Sequence, residues 1–194
     1  AKDQNQKTKA LSGSERGTAY HRFLSLVDLC ELKQGRSIEE EISRMTQEKI
    51  LSESEAESLD PEAIQLFFQD TIPGQHMVRF HESVYRELPF TCLFRHEDVF
   101  DEESQNSYLL QGIVDVLFLP NEQADSPSPF ILDFKTDHWR GTNAHLKELV
   151  RRYEAQLRLY QIGLKKSYRR KISDCYLYFF DADQSYKIDQ SNEE

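Results

Sequence analysis

Residues 130–136 read FILDFKT, and this short stretch is the best starting point for working out the fold. A run of apolar and aromatic residues of this length is typical of a buried β-strand. Side chains at positions i and i+2 of a strand project from the same face, so Asp133 and Lys135 are expected to share one site. Because an isolated carboxylate is costly to bury, the stretch indicates either a plain Asp–Lys ion pair or a catalytic site.

Residues 112–118, which read GIVDVLF, repeat the pattern with Asp115 inside a second apolar run. A divalent cation accounts for two buried carboxylates, because Mg²⁺ prefers oxygen ligands, uses one or two carboxylates and also binds phosphate oxygens. Mn²⁺ can substitute for it. If the two strands are neighbours, the cation lies between Asp115 and Asp133, and the carbonyl of Phe134 can add a further oxygen ligand. Lys135 then faces the phosphate.

Helical and extended patterns occupy separate parts of the chain. The first half has helical spacing, with predicted helices over residues 14–32, from Ser37 to Ile50, after Ser52, after Asp60 and over residues 75–81. The predicted strands are residues 84–94, 108–119, 130–136 and 174–180, with a long helix over residues 143–168 before the last of them. Hairpin-like loops are predicted at residues 97–107 and 121–129, and Pro89 indicates an edge strand or a bulge. This order predicts an α/β fold, in which a mixed β-sheet is fronted by a helical N-terminal region.

Length and composition favour one folded unit. The chain has 194 residues, of which 38% are hydrophobic, and this is enough for one substantial core. We predict that residues 14–186 form this unit, with residues 1–13 as a linker or disordered start and residues 187–194 as a polar tail. The solvated first residues, which do not begin with Met, suggest a domain cut from a longer protein.

Membrane proteins and cysteine-rich domains are both disfavoured. The sequence has no stretch near the roughly 20 apolar residues that cross a bilayer, and its start lacks the apolar run of a signal peptide. We therefore predict no membrane association and a cytoplasmic location. The three cysteines, Cys30, Cys92 and Cys175, lie far apart in sequence, which disfavours a disulfide framework and an iron–sulfur cluster.

Charge is strongly segregated along the chain. The net charge of -10 by itself argues against a nucleic-acid partner, because phosphates are neutralised by Lys and Arg. Residues 145–171, however, carry nine basic and only two acidic side chains. A basic segment beside a carboxylate cluster suits an enzyme that holds metal and phosphate together, and makes Arg151, Arg152 and Arg158 candidate DNA contacts. A merely solvated helix face explains the same charges.

Taken together, the motifs resemble the PD-(D/E)xK nuclease superfamily. A Gly-x-x-Asp strand followed by Asp-x-Lys is its core motif, and three further motifs resemble its RecB-like branch. In chain order the five elements are Gly17-x-x-x-His21, Glu87-x-Pro89-Phe90, Gly112-x-x-Asp115, Asp133-x-Lys135 and Gln156-x-x-x-Tyr160. They extend over most of the chain, so chance agreement at every one is improbable.

The resemblance implies a role for each matched residue. His21 is expected to be a metal ligand beside Asp115 and Asp133, and Glu87, Gln156 and Tyr160 are expected to be catalytic or supporting residues. Structural alternatives remain open at this stage. His21 fits a surface histidine, Glu87 fits an ion pair with Arg86, and Tyr160 fits the apolar stripe of its helix.

The amino-acid sequence around His21 and Lys135 is most similar to the C-terminal nuclease domain of the AddA subunit in bacterial AddAB helicase-nucleases. This similarity implies a Mg²⁺-dependent DNA exonuclease domain that processes double-strand breaks for recombinational repair. The implied partners are DNA, a helicase region of the same parent chain and an AddB-type subunit. ATP would be used only in the helicase region, since the sequence has no Gly-x-x-x-x-Gly-Lys loop. A free-standing RecB-like or phage exonuclease and an inactive DNA-binding relative are the alternatives, and intact Asp115, Asp133 and Lys135 disfavour the second.

Overall fold

A five-stranded mixed sheet forms the centre of the computed structural model, which describes residues 11–95, 106–123 and 125–188. In these residues the strands are β1 (Val84–Arg95), β2 (Ser107–Phe118), β3 (Phe130–Lys135), β4 (Asp174–Phe179) and β5 (Gln184–Lys187). They lie side by side in sequence order. β3 and β4 pair in parallel, whereas the other three neighbouring pairs are antiparallel. The mixed sheet predicted from the sequence is confirmed, and β1, which contains Pro89, is an edge strand.

Helices cover both faces of the sheet. They are α1 (Gly13–Leu26), α2 (Leu29–Lys33), α3 (Ile38–Gln47), α4 (Glu53–Ser58), α5 (Pro61–Asp70), α6 (Ile72–Arg79) and α7 (Asn143–Tyr168). The six N-terminal helices and one sheet face enclose a first core that includes Phe67 and Phe134. α7, which connects β3 to β4, packs on the other face in a second core around Leu157 and Leu177. The result is the predicted α/β architecture, with the sheet between two helical layers.

Sequence signals at the helix starts explain where most of these helices begin. α1, α3 and α4 start with capping boxes, in which a serine hydroxyl and a glutamate three residues later satisfy each other's backbone N–H groups. The three pairs are Ser12–Glu15, Ser37–Glu40 and Ser52–Glu55. None of the helices in the described residues combines the length and apolar character that a membrane-spanning helix requires.

The helix predicted over residues 14–32 is two helices. α1 ends at Leu26 because Val27 adopts an extended conformation and the Asp28 side chain caps α2 by accepting hydrogen bonds from two backbone N–H groups. The guanidinium of Arg86 donates hydrogen bonds to the carbonyls of Leu24 and Val27, which supplies partners for carbonyl groups at the C-terminal end of α1. Arg86 is therefore committed to a helix end and is not the ion-pair partner proposed for Glu87.

One helix start and one strand also differ from the prediction. Thr71 caps α6, and Pro73 lies in its first turn, so this helix begins at Ile72 and not at Gln75. β5 was not predicted because all four of its residues are exposed and carry no apolar alternation. Within the described residues, regular structure extends from Gly13 to Lys187, and the domain limits at residues 14 and 186 stay a prediction. Most of the predicted loop 97–107, and most of the predicted linker and tail, lie outside the described residues.

The β1–β2 hairpin changes, at one point along its strands, which face packs against which core. Val116 packs in the first core, but Val114, two residues earlier, packs in the second core, although strict alternation would put both on one face. Glu87, which lies opposite the intervening Asp115, has a φ of 47°, in the left-handed region that non-glycine residues rarely adopt. The change of face is therefore concentrated at Glu87 and Asp115, two of the residues singled out from the sequence.

A buried carboxylate ties α2 to α3. Glu41 is fully buried, and it accepts hydrogen bonds from the guanidinium groups of Arg36 and Arg44 and from the backbone N–H of Asp28. Burial alone would raise the pKa of this carboxyl, but the hydrogen bonds from Arg44, Asp28 and Arg36 lower it to about 2. The ionised form therefore stabilises the helical layer.

We predict that Glu41→Gln lowers the free energy of unfolding at pH 7 by about 3 kcal/mol, because two arginines lose a buried partner. The folded pKa lies below the ordinary value of 4.5, so the contribution is complete above that pH and is lost as pH falls toward 2. Urea unfolding at pH 7 and pH 3 measures it. Glu39→Gln, in the same helix at an exposed position, should have little effect. Equal stabilities of the two variants at pH 7 would contradict the prediction.

Candidate metal centre

Three carboxylates form a row across neighbouring strands. In the β1–β2 register, Arg86 pairs with Val116 and Leu88 with Val114, so Glu87 lies opposite Asp115. The β2–β3 pairing ends at Val116 and Leu132, and Asp115 and Asp133 occupy the next position of that register. The sheet therefore carries Glu87, Asp115 and Asp133 side by side where the ladder opens. We call these three residues the carboxylate row.

Helix α1 brings an imidazole to the carboxylate row. A Cβ atom on Gly17 would lie 3.0 Å from the Thr136 hydroxyl, so a glycine allows α1 to approach the end of β3 closely. One turn later, His21 Nδ1 lies 3.4 Å from Asp115 Oδ1 and 3.8 Å from Glu87 Oε1. The spacing Gly17-x-x-x-His21 thus combines a close helix contact with a side chain aimed at the row.

Crowding of like charge changes the protonation equilibria of the site. Burial, together with the charge of Asp115, raises the pKa of Asp133 to about 6, although Lys135 opposes the shift. Burial and Asp115 also raise the pKa of Glu87. Burial would lower the pKa of His21, but Asp115 and the other two carboxylates outweigh it and raise that pKa. The site therefore favours added positive charge.

The donor atoms fit a divalent cation. His21, Glu87 and Asp115 each offer a ligand atom, and these atoms all lie within 4.8 Å of one another. Asp133 Oδ2 is buried, and its contact with Lys135 Nζ lacks regular hydrogen-bond geometry, so this oxygen can accept a further ligand bond. Carboxylate oxygens with one imidazole suit Mg²⁺ or Mn²⁺.

The group of converging donor atoms contains His21 and Asp115 from the predicted ligand set of His21, Asp115, Asp133 and the Phe134 carbonyl. Glu87, which the resemblance made a catalytic or supporting residue and not a metal ligand, lies in the group with His21 and Asp115. Asp133 is adjacent to this group and is electrostatically coupled to Asp115. The contact that Phe134 makes here is a hydrogen bond of 2.8 Å from its backbone N–H to Asp115 Oδ2, which fixes the aspartate.

Lys135 lies at the inner end of the row. Its Nζ is 2.5 Å from Asp133 Oδ2 and 4.0 Å from the ring centroid of Tyr153. The Tyr153 hydroxyl donates to the carboxylate of Asp137 at 2.9 Å. Tyr153 lies outside the five sequence motifs and between Leu149 and Leu157 of the apolar stripe of α7, so the sequence did not single it out. Its spacing of three residues before Gln156 places both on neighbouring helical positions, and this could have identified it.

Gln156 and Tyr160, which lie one helical turn apart, contact each other. Gln156 Nε2 donates to the Tyr160 hydroxyl at 2.8 Å, and the Tyr160 ring packs edge-on against Phe90 with centroids 5.1 Å apart. A Cβ on Gly112 would lie 2.9 Å from atoms of both rings. Within the described residues, these contacts link Tyr160 to packing partners and to Gln156. The packing agrees with a place in the apolar stripe, and the catalytic or supporting role of Tyr160 stays a prediction.

The three candidate DNA-contacting arginines are exposed on α7 but differ in their partners. Arg158 forms an ion pair of 2.7 Å with Glu154, and Arg152 lies 3.5 Å from Asp137. Arg152 is consequently close to the Tyr153–Asp137 contact beside Lys135. Exposed ion pairs of this kind are weak, so both side chains can be redirected toward a phosphate.

Comparison with known proteins gives consistent matches. The sequence profile of the PD-(D/E)XK nuclease superfamily matches residues 2–193. An ATP-dependent helicase/nuclease subunit of Geobacillus thermodenitrificans is 34% identical over 183 residues, which are 90% of this chain and 14% of that protein. The protein of the same name from Enterococcus faecalis is 32% identical over 173 residues, 87% of this chain and 13% of that protein. The chain thus spans about one seventh of the length of these relatives.

We predict that Asp133→Asn raises the free energy of unfolding of the metal-free protein at pH 8, by roughly 1–3 kcal/mol. The folded pKa of about 6 lies above the ordinary value of 3.8, so the ionised side chain opposes folding above pH 6 and the difference disappears below pH 4. Chemical unfolding in EDTA at the two pH values measures this. Asp125→Asn, at an exposed turn, should be neutral. A wild type more stable than Asp133→Asn at pH 8 in EDTA would contradict the prediction.

We also expect Gly112→Ala to destabilise the protein by about 1–3 kcal/mol, because the new methyl group would overlap the rings of Phe90 and Tyr160. Gly13→Ala is the matched control, since a Cβ there meets no atom within 4 Å. Thermal unfolding compares the two. If both alanine variants were as stable as the wild type, the close packing around Gly112 would be disproved.

Proposed function

The chain belongs to the PD-(D/E)XK nuclease superfamily, and from this premise we propose that it is a metal-dependent deoxyribonuclease. The proposed active-site residues surround the carboxylate row and are His21, Glu87, Asp115, Asp133 and Lys135. The observation that carries the proposal is the convergence of this row with an imidazole and an ammonium group at one position of the sheet. Fold alone would not support a claim of enzymatic activity, but a site with this donor set does.

We infer that the residues holding the cation are those with converging donor atoms. His21, Glu87 and Asp115 supply the compact group, and the buried Oδ2 of Asp133, which also contacts Lys135, would add to it. The cation is proposed to be Mg²⁺, with Mn²⁺ as a substitute. When bound, it would supply positive charge to a phosphate and promote deprotonation of a water molecule. This charge would also relieve the repulsion within the row.

The side chains of this chain account for the remaining chemistry. Hydrolysis requires a water molecule to attack phosphorus in line while the bond to the leaving sugar oxygen breaks. The Lys135 ammonium, at the inner end of the row, would donate to a phosphate oxygen as negative charge develops there. Asp133 orients Lys135 through their 2.5 Å contact. His21 and Asp115 hold each other in place, and the Phe134 N–H fixes Asp115 from the opposite side.

The relatives suggest the setting in which this chemistry is used. They are named as subunits of ATP-dependent helicase/nucleases, and they are about seven times longer than this chain. We propose that the chain is the exonuclease part of an AddAB-type helicase-nuclease of the bacterial cytoplasm, which processes double-strand DNA breaks for recombinational repair. DNA, a helicase region of the same parent chain and an AddB-type subunit would be its partners. ATP hydrolysis would belong to the helicase region.

The decisive experiment is digestion of end-labelled DNA by the 194-residue chain with Mg²⁺ and with EDTA. We expect cleavage in Mg²⁺ and none in EDTA, and a loss of at least about 100-fold in Asp133→Asn because a charged group of the site is removed. Asp125→Asn, the same substitution at an exposed turn, should retain full activity. Cleavage that is indifferent to EDTA, equal rates in the wild type and Asp133→Asn, or an inactive wild type would each refute the proposed function.

A further inference from the structure

Tyr153 makes two contacts that connect Lys135 to the loop following β3. Its ring lies over the ammonium, with Nζ 4.0 Å from the ring centroid. Its hydroxyl donates to both oxygens of Asp137 at 2.9 Å. Burial and the neighbouring Asp137 raise the pKa of Tyr153, so the hydroxyl keeps its proton and remains a donor. Tyr153 thus contacts Lys135 through its ring face and Asp137 through its hydroxyl group.

Lys135 needs the contact with the Tyr153 ring because its other partner, Asp133, would also bind the cation. A lysine ammonium is a point charge on a flexible four-carbon chain, and one contact leaves it several orientations. The neighbour that holds it, Asp133 Oδ2, is also the oxygen that would bind the cation in the proposed function. A carboxylate engaged with a cation attracts a lysine less strongly. The aromatic face does not compete for the cation site, since it offers no ligand atom.

We propose that Tyr153 is a positioning residue that holds the Lys135 ammonium against the scissile phosphate through its ring, with Asp137 fixing the ring by its hydroxyl. The inference rests on the proposed function and adds to it a residue that lies outside the five matched motifs. The ring is the essential part, because the cation is attracted by the negative face of the aromatic system. The hydroxyl is secondary. A phenylalanine at position 153 should therefore still position Lys135, whereas a leucine should not.

The surroundings of Tyr153 support an ordered ring. Leu149 and Leu157, one turn away on either side along α7, are buried in the second core. The Tyr153 ring packs against the ring of Phe179 in β4, with the two centroids 6.5 Å apart. Arg152 lies 3.5 Å from Asp137 and helps to hold that carboxylate. A core role alone would explain the packing against Phe179, but it would not require an ammonium over the ring face.

The contact can be measured without activity. In ¹³C-lysine-labelled protein, we expect the ε-CH₂ protons of Lys135 to resonate clearly upfield of the other lysines because of the ring current of Tyr153. Loss of the resonance in Lys135→Met assigns it. The upfield shift should persist in Tyr153→Phe, disappear in Tyr153→Leu, and survive addition of Mg²⁺. An unshifted resonance in the wild type, or loss of the shift on addition of Mg²⁺, would overturn the proposal.

Kinetics of the same variants test the consequence. We expect Tyr153→Leu to lower the single-turnover cleavage rate by about 10- to 100-fold through misplacement of Lys135, with DNA affinity unchanged. Tyr153→Phe should keep most of the wild-type rate, and Tyr168→Leu, an exposed position on the same helix, all of it. An active wild type with an unimpaired Tyr153→Leu, or a Tyr153→Phe as slow as Tyr153→Leu, would disprove positioning by the ring. Failure of the wild type to cleave DNA would refute the proposed function instead, and the NMR shift would still decide whether the contact exists.

Discussion

Repulsion among Glu87, Asp115 and Asp133 is the constraint that the rest of the site satisfies. Burial and the charge of Asp115 raise the pKa values of Glu87 and Asp133, so the ionised carboxylates oppose their own burial side by side. Every further residue of the site adds positive charge or a hydrogen-bond donor. His21 approaches from α1, Lys135 lies at the inner end, and the proposed cation would supply the largest compensation. The arrangement is thus unfavourable for stability alone and becomes understandable as a binding site for a cation and a phosphate.

The fold provides the space and the geometry for this row through backbone features. Gly17 lets α1 approach β3, and Gly112 makes room for the Tyr160 ring beside Phe90. Glu87 has a left-handed φ of 47° where the β1–β2 hairpin changes face, and such strain in a non-glycine residue is typical of functional sites. The ladder between β2 and β3 ends one position before the two aspartates. Backbone groups that would otherwise pair are thereby left to hold side chains, as the Phe134 N–H holds Asp115.

Much of this arrangement could be predicted from the sequence, for identifiable reasons. Charged residues interrupt the apolar strands at Asp115, Asp133 and Lys135, so the cost of burying them can be recognised from the sequence alone. The long helix α7 and the strands β1 to β4 have strong periodicity, and the mixed sheet follows from their order. The inclusion of Glu87 in the cluster of possible ligands could not be predicted, because it depends on the pairing of β1 with β2 and on an unusual backbone angle. The split between α1 and α2 was missed because the cap formed by Asp28 competes with an uninterrupted apolar pattern. Tyr153 was missed because an aromatic residue on a buried stripe is normally a packing residue.

The distribution of charge bears on how the proposed enzyme would meet DNA. The chain carries a net charge of -10, and two of the three candidate DNA-contacting arginines of α7 already have acidic neighbours. The net negative charge would repel a DNA strand, whereas the basic side chains of α7 and Lys135 would attract it. On the proposed function, a bound cation and Lys135 would therefore supply local affinity for one phosphate, while the capture of a long DNA strand would depend on another part of the assembly. This division agrees with a nuclease that receives DNA from a helicase region and has no need to bind it tightly by itself.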